Sequence, residues 1–445
     1  MSSMDLMQMA LDRAKAGGAS QADVLYRDSL SKDVEIIQGE VSKSEINSGQ
    51  GVGIRLIKDG KPGYAYTHRL EDQQVEAMVG DALEQSSLSS VLEIDLPEGE
   101  ALVGGDSLDK WNPELEELRM EDLKDFSVAM EAKALSLDDR IVNFPHVGAS
   151  SSSQSSQLLN SKGLFRESSS NQLQAYLGGV AEEGDQKKSG FYANGSRSKD
   201  LLDVDFFAKM AVERCTELLG AHSIPSGEIP VVFSNRVSPS ILGMYLGSLS
   251  AESVLKGQSK MAEKLGDKIA VEALNVVCDP TLKGLPGSRL CDSEGVSCQR
   301  LPLIEKGVLK TFIHNLETSK LMGCAPTGHG QRGIQGKAGM GFSNLLVAKG
   351  DASLSELLKK SGRCLWVTKL EGGAACSQIS GELSIGVQGF LIENGEVKHP
   401  VDAVTLSGNF FDFIGDIQGM SNDYLDSFQS IKVPDLWVGS LALSG

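Results

Sequence analysis

The chain has 445 residues, 40% of them hydrophobic, and its 42 Lys and Arg against 60 Asp and Glu give a formal charge of −18. That length predicts two or three domains with sizeable cores and excludes a chain disordered throughout, while the acidic balance excludes DNA and anionic lipid as general ligands. No apolar run approaches the ~18 residues of a membrane span, and Met1-Ser-Ser-Met-Asp lacks the basic-then-apolar pattern of a leader, so a cytoplasmic protein is expected.

Apolar Leu6, Met9, Ala10 and Leu11 fall at helical spacing, and Gly17-Gly18 ends the helix. Short alternating runs follow at 23–26 and 34–37. Val52-Gly-Ile-Arg-Leu-Ile turns at 58–63 into Tyr64-Ala-Tyr, which reads as a hairpin. A helix over 72–85 buries Val75, Met78, Val79 and Leu83. Residues 90–112 are aperiodic and broken by Pro and Gly, which predicts a linker. Asn112-Pro113-Glu114 caps a helix running to about Leu135. The Ser run at 150–156 has the composition of a flexible linker. It leads, however, through Leu158-Leu-Asn to a turn at Ser161-Lys-Gly163 and a strand-like stretch over 164–182, so a long hairpin is predicted instead. A helix capped by Asp203 reaches Leu219.

From Gly227 the character changes. Residues 229–233 form a buried strand, and Ser238-Pro239 opens a helix reaching about Leu265. Short strands separated by Gly follow at 307–313, 364–368, 389–395, 403–406 and 436–438. Such spacing predicts a mostly antiparallel, barrel-like sheet. The fold class is α+β: an N-terminal antiparallel sheet with helices, and a C-terminal Gly-rich, mostly antiparallel β domain, barrel-like, with helices. The expected boundaries are 1–105, 106–226 and 227–445, with no fixed-period repeat.

The seven cysteines are odd in number, with no pair two residues apart, and read as reduced thiols. None of the six histidines is spaced to present a pair to a metal on one helical face. Gly328-His-Gly-Gln-Arg-Gly333 matches GxGxxG, but its flanks supply neither the strand nor the helix that would hold a pyrophosphate. Two loops remain as candidate sites. His329 follows Thr327 and Gly328, where small residues allow close approach and an imidazole titrates near neutrality; the competing reading is a hydrogen-bonded loop histidine. Asp292 and Glu294 offer paired carboxylates for acid–base work, or are solvated acids.

Several phrases occur in a specific order: Asp292-Ser-Glu-Gly295, Ile304-Glu-Lys-Gly-Val-Leu309, Thr327-Gly-His329, Gly389-Phe-Leu-Ile-Glu-Asn-Gly395, Pro400-Val401, Ser407-Gly-Asn409 and Ser421-Asn-Asp423. Together they resemble the TldD/PmbA family, labelled modulators of DNA gyrase and classed with metallopeptidases, and within it the PmbA-like members. The resemblance covers nearly the whole chain. TldD-type members carry a zinc-binding HExxxH helix aided by a Cys near the C-terminus. Aligned on that pattern, Leu242 and Gly247 stand at the two His positions, Gly243 at the Glu, and Ser430 near the Cys. The resemblance therefore implies no zinc or other cofactor in this chain, with zinc expected in a TldD-type partner.

It further implies a subunit acting in proteolysis or maturation of unfolded peptides, dimeric with a TldD-type paralogue or with itself. An extended peptide would run past loops at Thr327, Gly328 and His329 and at Gly372 and Gly373, without nucleic acid or membrane. Two rival readings stand beside it: a non-catalytic, homodimeric peptide-binding or regulatory protein, and an independent hydrolase built on His329 with Asp292 or Glu294.

Overall fold

The computed structural model describes residues 2–445 except Glu93, Glu100, Ala101, 103–107 and Ala374. Helix α1 (Ser3–Ala16) opens with a capping box in which Ser2 Oγ accepts from the Asp5 N–H and the Asp5 carboxylate accepts from the Ser2 N–H. Strands β1 (Gln21–Ile37), β2 (Glu40–Lys58) and β3 (Lys61–Thr67) precede α2 (Asp72–Leu88). Then come α3 (Met120–Leu137), β4 (Ile141–Asn160), β5 (Phe165–Glu183), β6 (Gln186–Ser196) and α4 (Val204–Thr216). The six strands make one antiparallel sheet in the order β3-β2-β1-β4-β5-β6.

The Ser run lies inside β4, laddered to β1 on one side and β5 on the other. The same pairing merges the two expected runs at 23–26 and 34–37 into the single strand β1. Its polar middle needs no apolar face while its backbone bonds are satisfied on both edges.

Even-numbered β1 residues face the helices. Val24 joins Val52, Ile54 and Leu56 in a core under α1 and α2, and Val34 and Ile36 join Val147 and Leu177 in another under α3 and α4. One sheet thus carries two cores on one face, with β1–β3 before and β4–β6 after the expected boundary at 105/106, which lies outside the described residues.

Two helices differ from expectation. Asn112 does cap a turn, its Oδ1 accepting from the Glu114 N–H at 3.1 Å, but only the 3-10 turn Pro113–Leu115 forms there. The Asp122 carboxylate takes the Arg119 N–H at 2.8 Å and restarts the chain as α3 at Met120. The helix expected over 238–265 is broken into α5 (Ser238–Tyr245), a 3-10 turn (Leu246–Leu249) and a short helix (Ala251–Leu255). Gly247 weakens the middle, and the Ala251 N–H bonds to Ile313 O at 3.1 Å instead of continuing the spiral. That contact also explains why the run at 307–313 keeps only Val308–Leu309 as strand. The expected linker is partly docked: Ile94 and Leu96 are buried against Ile57 and Leu316.

The C-terminal part closes a barrel of five strands: β7 (Gly227–Phe233) with Arg363–Glu371, Glu382–Glu393, Glu396–Asn409 and Leu436–Ser444. Four neighbouring pairs are antiparallel, and β7 with Arg363–Glu371 is parallel. An odd number of strands cannot close with alternation throughout, so one parallel pair is obligatory. Ile229, Val231 and Phe233 point into the main core, while Val232 faces Trp366 and Leu358 outside. A second, small sheet places Leu301–Glu305, Val276–Cys278, Leu345–Val347 and Ile431–Lys432 side by side.

Odd-numbered residues of β1 and β2 meet this C-terminal part. Gly53 is obligatory there: a Cβ would lie 1.9 Å from Ile334 O. Beside it Arg55, fully buried, binds Asp23 through Nε at 3.1 Å and Glu294 through Nη1 at 2.5 Å. Burial disfavours its charge, yet the two carboxylates hold its pKa above the ordinary value. Arg332 Nη2 lies 2.7 Å from Asp23 Oδ1, an ion pair by distance without the angle of a hydrogen bond.

Candidate functional site

The site positions expected from the sequence fall into two groups. The first surrounds α5. Leu242 turns into an apolar cavity wall shared with Leu246, Phe410 and Ile414. Gly243 and Gly247 lie on the partly open side of the helix. A Cβ on Gly243 would sit 3.7 Å from Ile431 Cδ1, beside Ser430, whose carbonyl accepts from the Leu345 N–H at 2.7 Å. Gly372 and Gly373 both take left-handed φ, 80° and 117°, and a Cβ on Gly373 would face Met244 Cε at 3.5 Å. The loop they start swings Gln378 over Gly247, its amide atoms 2.4 Å from where a Cβ would stand. The fold therefore brings Gly243 near Ile431 and Ser430, Gly247 under Gln378 and Gly373 near Met244, while Leu242 faces the apolar cavity. Leu242, Gly243 and Gly247 carry no side chain able to take a proton from water at neutral pH.

The second group is buried. His329 is 1% exposed, and its Nδ1 lies 2.8 Å from Thr327 O and 2.9 Å from Thr327 Oγ1. A carbonyl can only accept, so Nδ1 carries the proton and Nε2 accepts from the Cys278 thiol at 3.1 Å. Burial, with Arg289 nearby, pushes the imidazole down to about 4. Burial likewise pushes the Cys278 thiol up. The pair is a neutral thiol and a neutral ring, with no thiolate to act as nucleophile.

Asp292 Oδ1 accepts from the Glu294 and Val296 N–H groups at 2.9 and 3.0 Å, and Oδ2 from the Gly330 N–H at 2.8 Å. Burial and the Glu294 charge push its carboxyl up to about 7. Glu294 does not pair with it for acid–base work: it turns to Arg55 and to the Leu316 N–H at 2.8 Å. Gly328, at φ 72°, lets the loop press against Ser297, where a Cβ would be 2.9 Å from the carbonyl. Thr327, Gly328, His329, Asp292 and Glu294 thus knot two loops together, and Gly328 and His329 present no accessible surface to a peptide. The two groups are linked: Cys278 pairs with Leu345 and Leu345 with Ile431, two strand spacings or about 10 Å. Gln378, Cys278 and the Arg55 network were not singled out from sequence. Only Arg55 left a signal there, a charge in the apolar run 52–57.

Comparison with known proteins agrees over almost all of this architecture. Family models described as PmbA/TldA metallopeptidase domain 1, central domain and C-terminal domain match residues 22–86, 113–219 and 226–445. The chain belongs to the PmbA/TldD metallopeptidase family. It is 27% identical to the metalloprotease PmbA of Escherichia coli O157:H7, the alignment covering 99% of this chain and 96% of that one. A metalloprotease TldD homologue of Buchnera aphidicola is 23% identical over 93% of this chain and 88% of its own. A crystal structure from Thermotoga maritima, described as a putative modulator of a DNA gyrase, superposes with a TM-score of 0.90 at 27% identity, covering both chains in full. No helix among the described residues is long and apolar enough to cross a membrane.

A metallopeptidase family implies a bound metal, and for its hydrolytic chemistry zinc. The residues around α5 do not fit one. Leu242 is a buried hydrocarbon, Gly243 and Gly247 have no side chain, and Ser430 offers only a neutral hydroxyl. Among the described residues, no three His, Cys, Asp or Glu side chains are grouped to hold a metal.

Proposed function

We propose that this chain is the PmbA-like, non-zinc subunit of a TldD/PmbA-type metallopeptidase that degrades or matures unfolded peptides. A TldD-type paralogue supplies the zinc chemistry, and this chain completes the chamber that holds peptide in extended form. The single observation that carries the reading is α5. The helix and the 3-10 turn that follows it lie beside a glycine-hinged loop, yet they offer Leu242, Gly243 and Gly247 where ligands and a general base would be needed. The buried, neutral state of His329 and Cys278 supports the same division of labour, because it removes the strongest rival centre in this chain.

The test is cleavage of an unstructured peptide by the purified chain alone and by its mixture with a zinc-loaded TldD-type paralogue. Cleavage in the mixture only, unaffected by His329→Asn, is expected. Cleavage by the chain alone, lost in His329→Asn, overturns the reading in favour of an independent hydrolase. Failure of the two proteins to associate or to cleave overturns it in favour of a binding or regulatory protein.

A further inference from the structure

The face of the N-terminal sheet opposite α1–α4 is covered by the C-terminal part over only one end. Beyond the seam its middle lies open as a trough of about 500 Å³, within the range of ligand sites. The floor is two cross-strand rows of small polar side chains. Ser29 lies opposite Gln154, and that opposite Ser170; Ser31 lies opposite Ser152, and that opposite Gln172. No apolar side chain faces up from these rows, so nothing there calls for burial under another core. What the floor does offer is hydroxyls and amides that both donate and accept.

The seam end of the trough is cationic. Arg197 lines it, and its guanidinium bonds only to backbone carbonyls, among them Lys110 O at 2.8 Å and Gly284 O at 3.2 Å. Lys110 reaches Ser168 Oγ at 2.7 Å, in the row next to Ser170. Among the described residues neither cation has a carboxylate partner. Both are half-buried, and burial lowers the pKa of both. At the other end Asp33 lies opposite Glu45, and Glu35, the next residue along that face of β1, lies opposite Lys43, which pairs with Glu45 at 3.4 Å, so three acids face one cation.

We infer that the trough binds an unfolded peptide lying along β1, with a carboxylate seated at Lys110 and Arg197 and its cationic end toward Asp33 and Glu35. The inference rests on the peptide-handling reading above and assigns that peptide a site, a polarity and a length. Ser168 is in register with position 27, through Ser156, and the Asp33 row lies six residues further along β1. That is about 20 Å, the span of roughly six extended residues.

The test is calorimetric titration of the full chain with an octapeptide of Gly, Ala, Ser and Thr bearing free termini. The same peptide amidated at its C-terminus, an amidated version with one internal Glu, and a free tetrapeptide complete the set. The free octapeptide should bind, with affinity about tenfold above the amide and the tetrapeptide. Recovery by the internal Glu shows that a side-chain carboxylate serves as well as a terminal one, and no recovery restricts the site to chain ends; binding of the free acid supports the proposal in either case. Lys110→Gln should erase the difference between acid and amide. Ser152→Trp, checked by its melting temperature to be folded, should fill the trough and lose binding. Equal affinity for acid and amide in the unmodified chain, no binding at all, or unchanged binding by folded Ser152→Trp overturns the inference. Failure of cleavage in the paralogue mixture, with discrimination intact, overturns the peptidase reading and leaves the trough standing.

Discussion

The neutral His329–Cys278 pair has a measurable cost in acid. The ring's pKa is about 4 in the folded chain and about 6.5 when unfolded. Between those values the unfolded chain takes up a proton that the folded chain does not, so stability is complete above about pH 6.5 and falls as the pH drops toward 4. Linkage gives a loss of about 2 kcal/mol between pH 7.5 and 5.0, and about 3 kcal/mol once the pH is below 4. Other groups titrate over the same range, so the comparison that isolates the ring is with His329→Asn. That variant keeps a donor for Thr327 O and removes the titrating nitrogen. It should be less stable at pH 7.5 by about 1–3 kcal/mol, because the Cys278 thiol loses its acceptor. The gap between the two proteins should then shrink by about 2 kcal/mol at pH 5.0. Urea unfolding followed by tryptophan fluorescence reads it, since Trp366 and Trp437 both lie on the barrel. A gap that stays constant, or widens, would refute the neutral pair and point to an imidazolium–thiolate with a reactive sulfur.

Three further outcomes follow from the seam and from α5. Arg55→Met leaves Glu294 buried without its cation and Asp23 with Arg332 alone, and should cost about 3–5 kcal/mol, read as a fall in melting temperature. Gly53→Ala drives a methyl into Ile334 O and should cost about 1–3 kcal/mol by overpacking. In this variant trypsin should cleave faster at Arg332 or Lys337, and an unchanged cleavage rate would mean that the seam yields without opening. Chelator treatment, or added zinc, should leave the melting temperature within about 1 °C, whereas a ligand bound only by the folded chain raises it; a rise of several degrees would reveal a metal site outside α5.

Much of the fold was legible wherever local chemistry decides it. The end of α1 at Gly17, the capping of α4 by Asp203, the turn at Gly163 and the long Ser-rich hairpin all follow from residues within a few positions of one another. One error arose where a second local cap was passed over: Asp122, bonded to the Arg119 N–H, restarts the helix that Asn112 begins. The other arose where a distant partner overrode a local signal: Ile313 captures the Ala251 N–H that would have extended the helix from Ser238. The site was less legible still. The loop holding His329 stood out by its glycines, but nothing near it announces that Cys278, 51 residues upstream, will sit on its ring. Asp292 and Glu294 look like a pair in sequence and are pulled apart by Arg55, 239 residues from Glu294. The surroundings of α5 were approached only through an alignment of absent ligands, and Gln378 reaches Gly247 through a loop whose direction its own sequence does not specify.

The barrel's one parallel pair has a consequence for the order of events during synthesis. β7 sits between Arg363–Glu371 and Leu436–Ser444, so the first strand of the barrel to be made is completed by the last. Roughly 130 residues separate β7 from its parallel neighbour and roughly 200 from the last strand, so at about 5–20 residues per second it waits about 7–26 s for the one and about 10–40 s for the other. Until the first of them is made, Val231, Val232 and Phe233 have no sheet to enter. The N-terminal sheet, whose strands are joined mainly by short hairpins, can be complete by then, and its seam at Gly53 and Arg55 offers the late-arriving loops at 294 and 332 a finished surface on which to assemble.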